Sequence, residues 1–396
     1  MKRVMLIFGT RPEAIKLAPV AHALAARADF DPIVVTTAQH REMLDQVLDL
    51  FGITPDYDLA IGRPRQDLAS LTARTLESLA PVVEKESPDA VVVQGDTTTT
   101  VVGALAGFLT GVPVVHLEAG LRTSDPRNPF PEEMNRRLTT QLTDLHLAAT
   151  PRARENLLAE GVADDRIVTT GNTVIDALLW AVNQERPVRD PLLNAATEHP
   201  GPVVLWTAHR RESWGEPMAR VARAVVNVCA ARPDLLVVLP AHKNPAVRDV
   251  LLPEVANLPN IHVGEPSDYW SFCQLMRRAD IVLTDSGGVQ EEAPSLGRPV
   301  LVTRSTTERT EAIDAGVALL VGTEPLRIMH ALDTLLANRE AYEEMARRVN
   351  PYGDGQAVER VVAALGRLLG DVTPVPEFNP EIGGSKVDEA VLATPR

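Results

Sequence analysis

The chain has 396 residues, enough for two domains of ordinary size. Hydrophobic residues make up 45% and aromatics only 4%, so the core is aliphatic. Acidic residues outnumber basic ones by 53 to 39, a net charge of −14, which argues against a nucleic-acid or anionic-membrane partner and leaves any polyanionic ligand to local basic residues and backbone N–H groups.

The opening MKRVMLIFGTRPEAIK has too short an apolar run for a secretory signal, broken at once by Arg11, Pro12 and Glu13. No later run reaches the length of a membrane span, and Cys229 and Cys273 form no metal, redox or disulfide spacing, so a reducing cytoplasm is the expected location. RVMLIFG, PIVVTT, AVVVQG, VPVVHLE, LHLAAT and RIVTTG read as strands, with helical segments such as EAIKLAPVAHALAA, REMLDQVLDLFG and TTTTVVGALAGFL between them. PVVLWTA, LLVVLPAH, NIHVGE, ADIVLTD, RPVLVTR and VALLVG form a second series of strands. Two runs of βα units imply two doubly wound, mostly parallel sheets. The polar, proline-bearing residues 183–202 read as a linker, and the aperiodic stretch from Asp371 as a disordered tail.

In such sheets ligands bind beyond the carboxyl ends of the strands. Several polar clusters fall there. After the first strand, Gly9 permits a tight turn and Pro12 suits a helix start. Arg11 and Lys16 can reach an anion over that helix N-terminus, or form a solvent-facing basic pair. Asp96, after AVVVQG, stands either as a helix N-cap or as a proton-transfer group. Glu118 follows a buried-looking run, where partial desolvation would raise its pKa and suit it to proton transfer; the plain alternative is a salt bridge to Arg122. His116 reads as structural. Glu132 and Glu133 occupy a helix first turn, ordinary for acids, and the case for Glu132 rests on its company with Asp96 and Glu118.

In the second half, His209, Arg210 and Arg211 stand just past the first strand, and His242 past the next. In TDSGGVQEEAPSLG a strand, a Ser286-Gly287-Gly288 turn and a helix start present free N–H groups to an anion such as a phosphate. One of Glu291 and Glu292 can accept from ribose hydroxyls, and the other serves the helix dipole. The histidines show no metal-ligand spacing, and no metal is expected.

FGTRPEAIK, TAQHREMLDQV, QGDTTTT, HLEAGLRT, PEEMNR, GNTVIDAL, TAHRRES, TDSGGVQEEAPSLG, TTER and NPYGDGQA, in that order, resemble the non-hydrolysing UDP-N-acetylglucosamine 2-epimerases (UDP, uridine diphosphate), from the first strand to about Gly370. The resemblance implies an α/β glycosyltransferase-B-type fold, two Rossmann-like domains facing across a cleft. Residues 1–178 would carry the acids, completed by a helix at about 357–370, residues 179–356 would bind UDP, and 371–396 would be the tail. It implies interconversion of UDP-N-acetylglucosamine and UDP-N-acetylmannosamine by a homodimer that needs no cofactor, NAD or metal and supplies mannosamine units for cell-surface polysaccharide.

By the same resemblance Asp96, Glu118 and Glu132 are the acids, and His209 and Arg11 stabilise the diphosphate. Lys16 and Arg309 join the substrate site, Ser286, Gly287 and Gly288 hold the pyrophosphate, and Glu292 the ribose. A second UDP-N-acetylglucosamine would regulate the enzyme through Gln39, Glu42, Arg65, Glu132, Arg210 and His242; these come from both domains, so that ligand would favour the closed form. Ser305 and Thr310 stand where relatives commonly have Asp and Pro, and Lys243 replaces an apolar residue. A hydrolysing epimerase would share the motifs, and a glycosyltransferase the fold. A non-catalytic nucleotide-sugar sensor would need the phosphate and ribose residues but no acid set. The short tail, with no kinase-like extension, favours the non-hydrolysing type.

Overall fold

A computed structural model describes residues 1–39, 41–63, 66–123, 125–256 and 258–380. Among the described residues the chain divides into two units, one formed by Met1–Ala177 with residues 352–380, the other by Leu178–Pro351. This is the α/β fold of two Rossmann-like, parallel-sheet domains that the sequence implies.

The first unit runs β1 (Lys2–Phe8), α1 (Arg11–Ala25), β2 (Phe30–Thr36), α2 (Arg41–Phe51), β3 (Tyr57–Asp58), α3 (Leu68–Glu86), β4 (Ala90–Gln94), α4 (Thr98–Thr110), β5 (Val114–Ala119), α5 (Glu132–Leu142), β6 (Leu145–Ala148), α6 (Pro151–Ala159), β7 (Ile167–Thr169) and into α7 (Thr173–Val182). Among the described residues its strands form a parallel seven-stranded sheet in the order β3-β2-β1-β4-β5-β6-β7. The aliphatic runs explain this arrangement. Val4–Phe8 and Ala90–Val93 are wholly buried, because helices cover both faces of a parallel sheet. The two-residue β3 carries no apolar run and is invisible to periodicity.

The second unit runs α8 (Pro191–Glu198), β8 (Val203–Thr207), α9 (Glu216–Ala231), β9 (Leu236–Pro240), α10 (Pro245–Val255), β10 (Ile261–Gly264), α11 (Tyr269–Arg278), β11 (Ile281–Thr284), α12 (Gly287–Glu292), β12 (Val300–Val302), α13 (Thr310–Asp314), β13 (Ala318–Leu320), α14 (Pro325–Ala337) and α15 (Arg339–Ala346). Among the described residues its strands form a six-stranded parallel sheet in the order β10-β9-β8-β11-β12-β13. Trp206, Val225, Val237 and Leu283 sit in its core.

Two sequence expectations need correction. Residues 183–202 are more than a linker: Asp190 caps α8 through Leu192 N–H (2.8 Å), Pro191 opens the helix, and Leu192, Leu193 and Ala196 are buried. The stretch from Asp371 does not start as a free tail. After α16 (Ala357–Leu368), which packs against α1, Asp371 pairs with Lys2. Glu377 pairs with Arg154, and the buried Phe378 donates its N–H to Thr169 O at 2.7 Å. Residues 381–396 lie outside the described residues.

Candidate active site

In the first unit three chain segments meet at the carboxyl ends of β1, β4 and β5. Gly9 follows β1 because a side chain has no room there: its Cβ would lie 2.0 Å from Thr37 Oγ1 and 2.6 Å from Thr99 Oγ1. Thr10 then caps α1 in a capping box with Glu13. The Glu13 carboxylate accepts from Gly9 N (3.1 Å), Thr10 N (2.8 Å) and Thr97 Oγ1 (2.7 Å). Burial pushes its pKa up against those hydrogen bonds. Glu13 therefore ties β1 to the turn after β4, a role sequence reading missed although the capping-box spacing was there to see. Arg11, the first residue of α1, is partly exposed.

Asp96 is not the helix cap. That position belongs to Thr97, whose Oγ1 accepts from Thr100 N at 3.1 Å. Asp96 Oδ2 instead accepts from Arg136 Nε (2.9 Å) and Nη2 (2.7 Å), and its main-chain oxygen accepts from Asn135 Nδ2 (2.9 Å). Both partners lie on α5, so α5 fixes the turn that carries Asp96.

Glu118 does not make the alternative salt bridge to Arg122. Arg122 is taken by Glu160 (2.7 Å), because the chain after Ala119 leaves the strand without becoming a helix. Glu118 meets the ammonium of Lys16, the side-chain amide of Gln94 and Asn172 Nδ2 at 3.2 Å. Its side chain is 11% exposed, in keeping with a desolvated carboxylate. Its φ of +63° lies in the left-handed region, uncommon for a residue with a side chain, and the β5–β6 register slips between Leu117 and Ala119. Such a kink re-aims a side chain at the end of a strand and is a recurrent mark of functional sites. Lys16, expected to reach an anion, thus spends its charge on Glu118.

Glu132 and Glu133 have opposite fates. Glu133 is buried and pairs with Arg136 (2.8 Å) and Arg137 (2.9 Å). Glu132 is partly exposed, and its carboxylate has no hydrogen-bond or ion-pair partner among the described residues. His116 is structural as expected: it is wholly buried, its Nε2 meets Gly95 O at 2.7 Å, and burial pushes its pKa down to about 4.

In the second unit β8 and β11 are neighbours, with Thr207 opposite Thr284 and their hydroxyls 2.6 Å apart. His209 and Arg210 follow β8, and Asp285 and Ser286 follow β11. Ser286 is the N-cap of α12, and its own N–H is donated to Thr284 Oγ1 (2.9 Å). The N–H groups of Gly287 and Gly288, in the first turn, have no intrahelical acceptor. A Cβ on Gly287 would lie 3.1 Å from Arg210 Nη2 and 3.4 Å from Arg309 Cζ. Two guanidinium groups therefore crowd the glycine turn.

Glu291 and Glu292 close α12 rather than open it, so neither serves the dipole, which disfavours an acid at that end. Glu291 pairs with Arg309 (2.8 Å), and Glu292 accepts from Tyr269 Oη (3.3 Å). Glu308, unremarked in the sequence, joins Arg304 (2.7 Å), Arg309 (3.1 Å) and Arg210 (3.6 Å). Burial acts to raise its pKa, but the three guanidinium charges outweigh it and hold it at about 2.

Of the proposed regulatory residues, Gln39 is partly exposed with a buried Oε1 that has no hydrogen-bond partner among the described residues, and Glu42 is exposed in the first turn of α2. His242 is exposed and stacks on His209 with ring centroids 6.0 Å apart. Arg65 lies outside the described residues. Among the described residues no group of three or more His, Cys, Asp or Glu is placed to hold a metal ion, and no helix is long and apolar enough to cross a membrane.

Carboxylates fixed by cations in one unit, and a glycine turn among arginines and a histidine in the other, suit proton transfer and diphosphate binding respectively. The family model described as UDP-N-acetylglucosamine 2-epimerase matches residues 22–366. The chain is 49% identical to the UDP-N-acetylglucosamine 2-epimerase of Escherichia coli K12 over 92% of this chain and 98% of that one. Its structure resembles the Neisseria meningitidis UDP-GlcNAc 2-epimerase bound to UDP-GlcNAc, with a TM-score of 0.84 and 44% identity over 92% and 100% of the two chains. It also resembles the Methanocaldococcus jannaschii UDP-GlcNAc 2-epimerase in complex with UDP-GlcNAc and UDP, with a TM-score of 0.77 and 31% identity over 92% and 99%. The chain belongs to the UDP-N-acetylglucosamine 2-epimerase family.

Proposed function

We propose that this protein interconverts UDP-N-acetylglucosamine and UDP-N-acetylmannosamine without hydrolysing either. The observation that carries the reading is the pair Asp96 and Glu118. They follow or end the adjacent strands β4 and β5, and each is gripped by its own cation, Arg136 or Lys16. A sensor would need no such pair.

The substrate dictates the order of events. Its C2 hydrogen has no neighbouring carbonyl, so direct deprotonation is too difficult. The C1–oxygen bond breaks first or nearly first, and UDP departs with the electron pair. Oxocarbenium character at C1 then acidifies the C2 hydrogen, and a carboxylate takes the proton. The product is a 2-acetamidoglucal beside UDP. Protonation of C2 on the opposite face and return of UDP to C1 give the epimer, with no net gain or loss of water.

Asp96, Glu118 and Glu132 are assigned the proton transfers. The Gly287 and Gly288 N–H groups, Ser286, Arg11, His209 and Arg309 are assigned the developing diphosphate charge, where preorganised donors are most effective. Glu292, oriented by Tyr269, is assigned the ribose. Regulation by a second UDP-N-acetylglucosamine through Gln39, Glu42, Arg65, Glu132, Arg210 and His242 belongs to the same reading, as do a homodimer, a cytoplasmic location and a role in supplying cell-surface polysaccharide.

The test is incubation with UDP-N-acetylglucosamine alone, products read by proton NMR. UDP-N-acetylmannosamine at equilibrium with substrate supports the reading. Steady accumulation of free N-acetylmannosamine and UDP would make the protein a hydrolysing epimerase instead.

A further inference from the structure

Asp285 is 1% exposed, and a carboxylate so placed must find partners. Among the described residues its partners lie on one short segment 75 and 76 residues earlier. His209 N–H donates to Oδ2 at 2.9 Å and Oδ1 at 3.1 Å, Arg210 N–H donates to Oδ2 at 2.9 Å, and His209 Nδ1 lies 3.2 Å from Oδ1. Among the described residues His209 is the one ionisable group within ion-pair distance of this carboxylate. The neighbouring strands β8 and β11 make the meeting possible, and Ser286, which caps the glycine turn, is the next residue along.

The arrangement does two things at once. The main-chain bonds fix where the His209 segment leaves β8. The Nδ1 contact fixes which ring nitrogen carries a proton, since an acceptor-only carboxylate requires N–H at Nδ1. Nε2 is then the nitrogen left for other chemistry. We propose that Asp285 is a positioning residue that works through His209, orienting the ring and supporting its positive charge while His209 serves the departing diphosphate. This rests on the function proposed above.

The experiment has two arms. In the unaltered full chain, labelled with ¹⁵N-histidine and with His209 assigned by comparison with His209→Ala, the His209 proton is expected on Nδ1. A ring protonated at Nε2 with bare Nδ1 overturns the proposal. In the second arm, Asp285→Asn, His209→Ala and the double variant are compared in kcat and in melting temperature. Each single change is expected to lower kcat at least roughly 10²-fold, the lower end of what a preorganised donor to a developing negative charge contributes. The double variant should be close to the slower single, because with the His209 ring gone Asp285 retains only its main-chain bonds to residues 209 and 210. A merely structural carboxylate would give losses that multiply, and that result, or normal turnover in Asp285→Asn, also overturns the proposal. If Asp285→Asn does not fold, the ring-nitrogen measurement decides alone. If the unaltered chain does not act on UDP-N-acetylglucosamine, the functional reading fails, and the ring-nitrogen arm still decides the Asp285–His209 coupling.

Discussion

Lys16 on α1 and Glu118 on β5 form an ion pair in which the two side chains are only 15% and 11% exposed, 102 residues apart in sequence. Desolvated pairs of this kind cost more when half-removed than when wholly removed. Lys16→Met should therefore destabilise the first unit by about 1–3 kcal/mol, the penalty for stranding a buried polar group. Lys16→Met/Glu118→Gln should recover part of that loss, read as melting temperatures. Simple addition of the two effects would mean the pair is not coupled in solution.

The site was legible in the sequence to the extent that its residues stand at strand ends. Asp96, Glu118, His209 and the Ser286–Gly288 turn could be placed because a buried aliphatic run followed by Gly or a polar residue marks the carboxyl edge of a parallel sheet. Their partners could not. Arg136 reaches Asp96 from 40 residues away and Asp285 reaches His209 from 76, and local pattern carries no such distances. The same blindness left Arg122 open as an alternative partner for Glu118: i,i+4 spacing means contact only within a helix, and residues 120–123 form none. The dipole reading of Glu291 and Glu292 failed because α12 spans only six residues, so acids four and five places after its first glycine lie at its end.

Removing charge while keeping shape should separate chemistry from binding. Asp96→Asn and Glu118→Gln are each expected to lower turnover by roughly 10²–10⁴. UDP affinity, measured by calorimetry, should survive, because neither residue is assigned to the nucleotide. Near-normal turnover in Asp96→Asn would reduce that residue to an anchor for Arg136.

Gly287→Ala tests the glycine turn. Its Cβ would sit 3.1 Å from Arg210 Nη2, tighter than an ordinary contact, in the space assigned to the pyrophosphate. UDP affinity should fall on the order of tenfold, about 1.4 kcal/mol. Stability should hold or rise, since alanine suits a helix better than glycine by roughly 0.5–1 kcal/mol. Unchanged affinity would place the phosphates elsewhere.

Acid should expose the buried histidines. Burial lowers the pKa of His116 from 6.5 to about 4 and of His146 from 6.5 to about 3. The unfolded chain therefore takes up their protons first as pH falls. Their contribution is complete above pH 6.5 and is lost progressively below it, on the order of 1.4 kcal/mol per pH unit for each. Asp176 has the opposite sign: burial raises it from 3.8 to about 6, so the folded state binds the proton first and gains stability as pH falls through that window. In urea unfolding between pH 7 and 4.5, His116→Asn should flatten the loss of stability toward acid, and Asp176→Asn should steepen it. A His116→Asn profile parallel to that of the unaltered chain would mean the imidazole titrates normally in the fold.

The proposed mechanism requires that the C2 proton leave the sugar and a different one return. The most direct measurement is epimerisation of UDP-N-acetylglucosamine in deuterium oxide, with the C2 position of the product followed by proton NMR. The UDP-N-acetylmannosamine formed should carry deuterium at C2. A product that keeps its original hydrogen at C2 would contradict elimination and re-addition through exchangeable carboxyl groups.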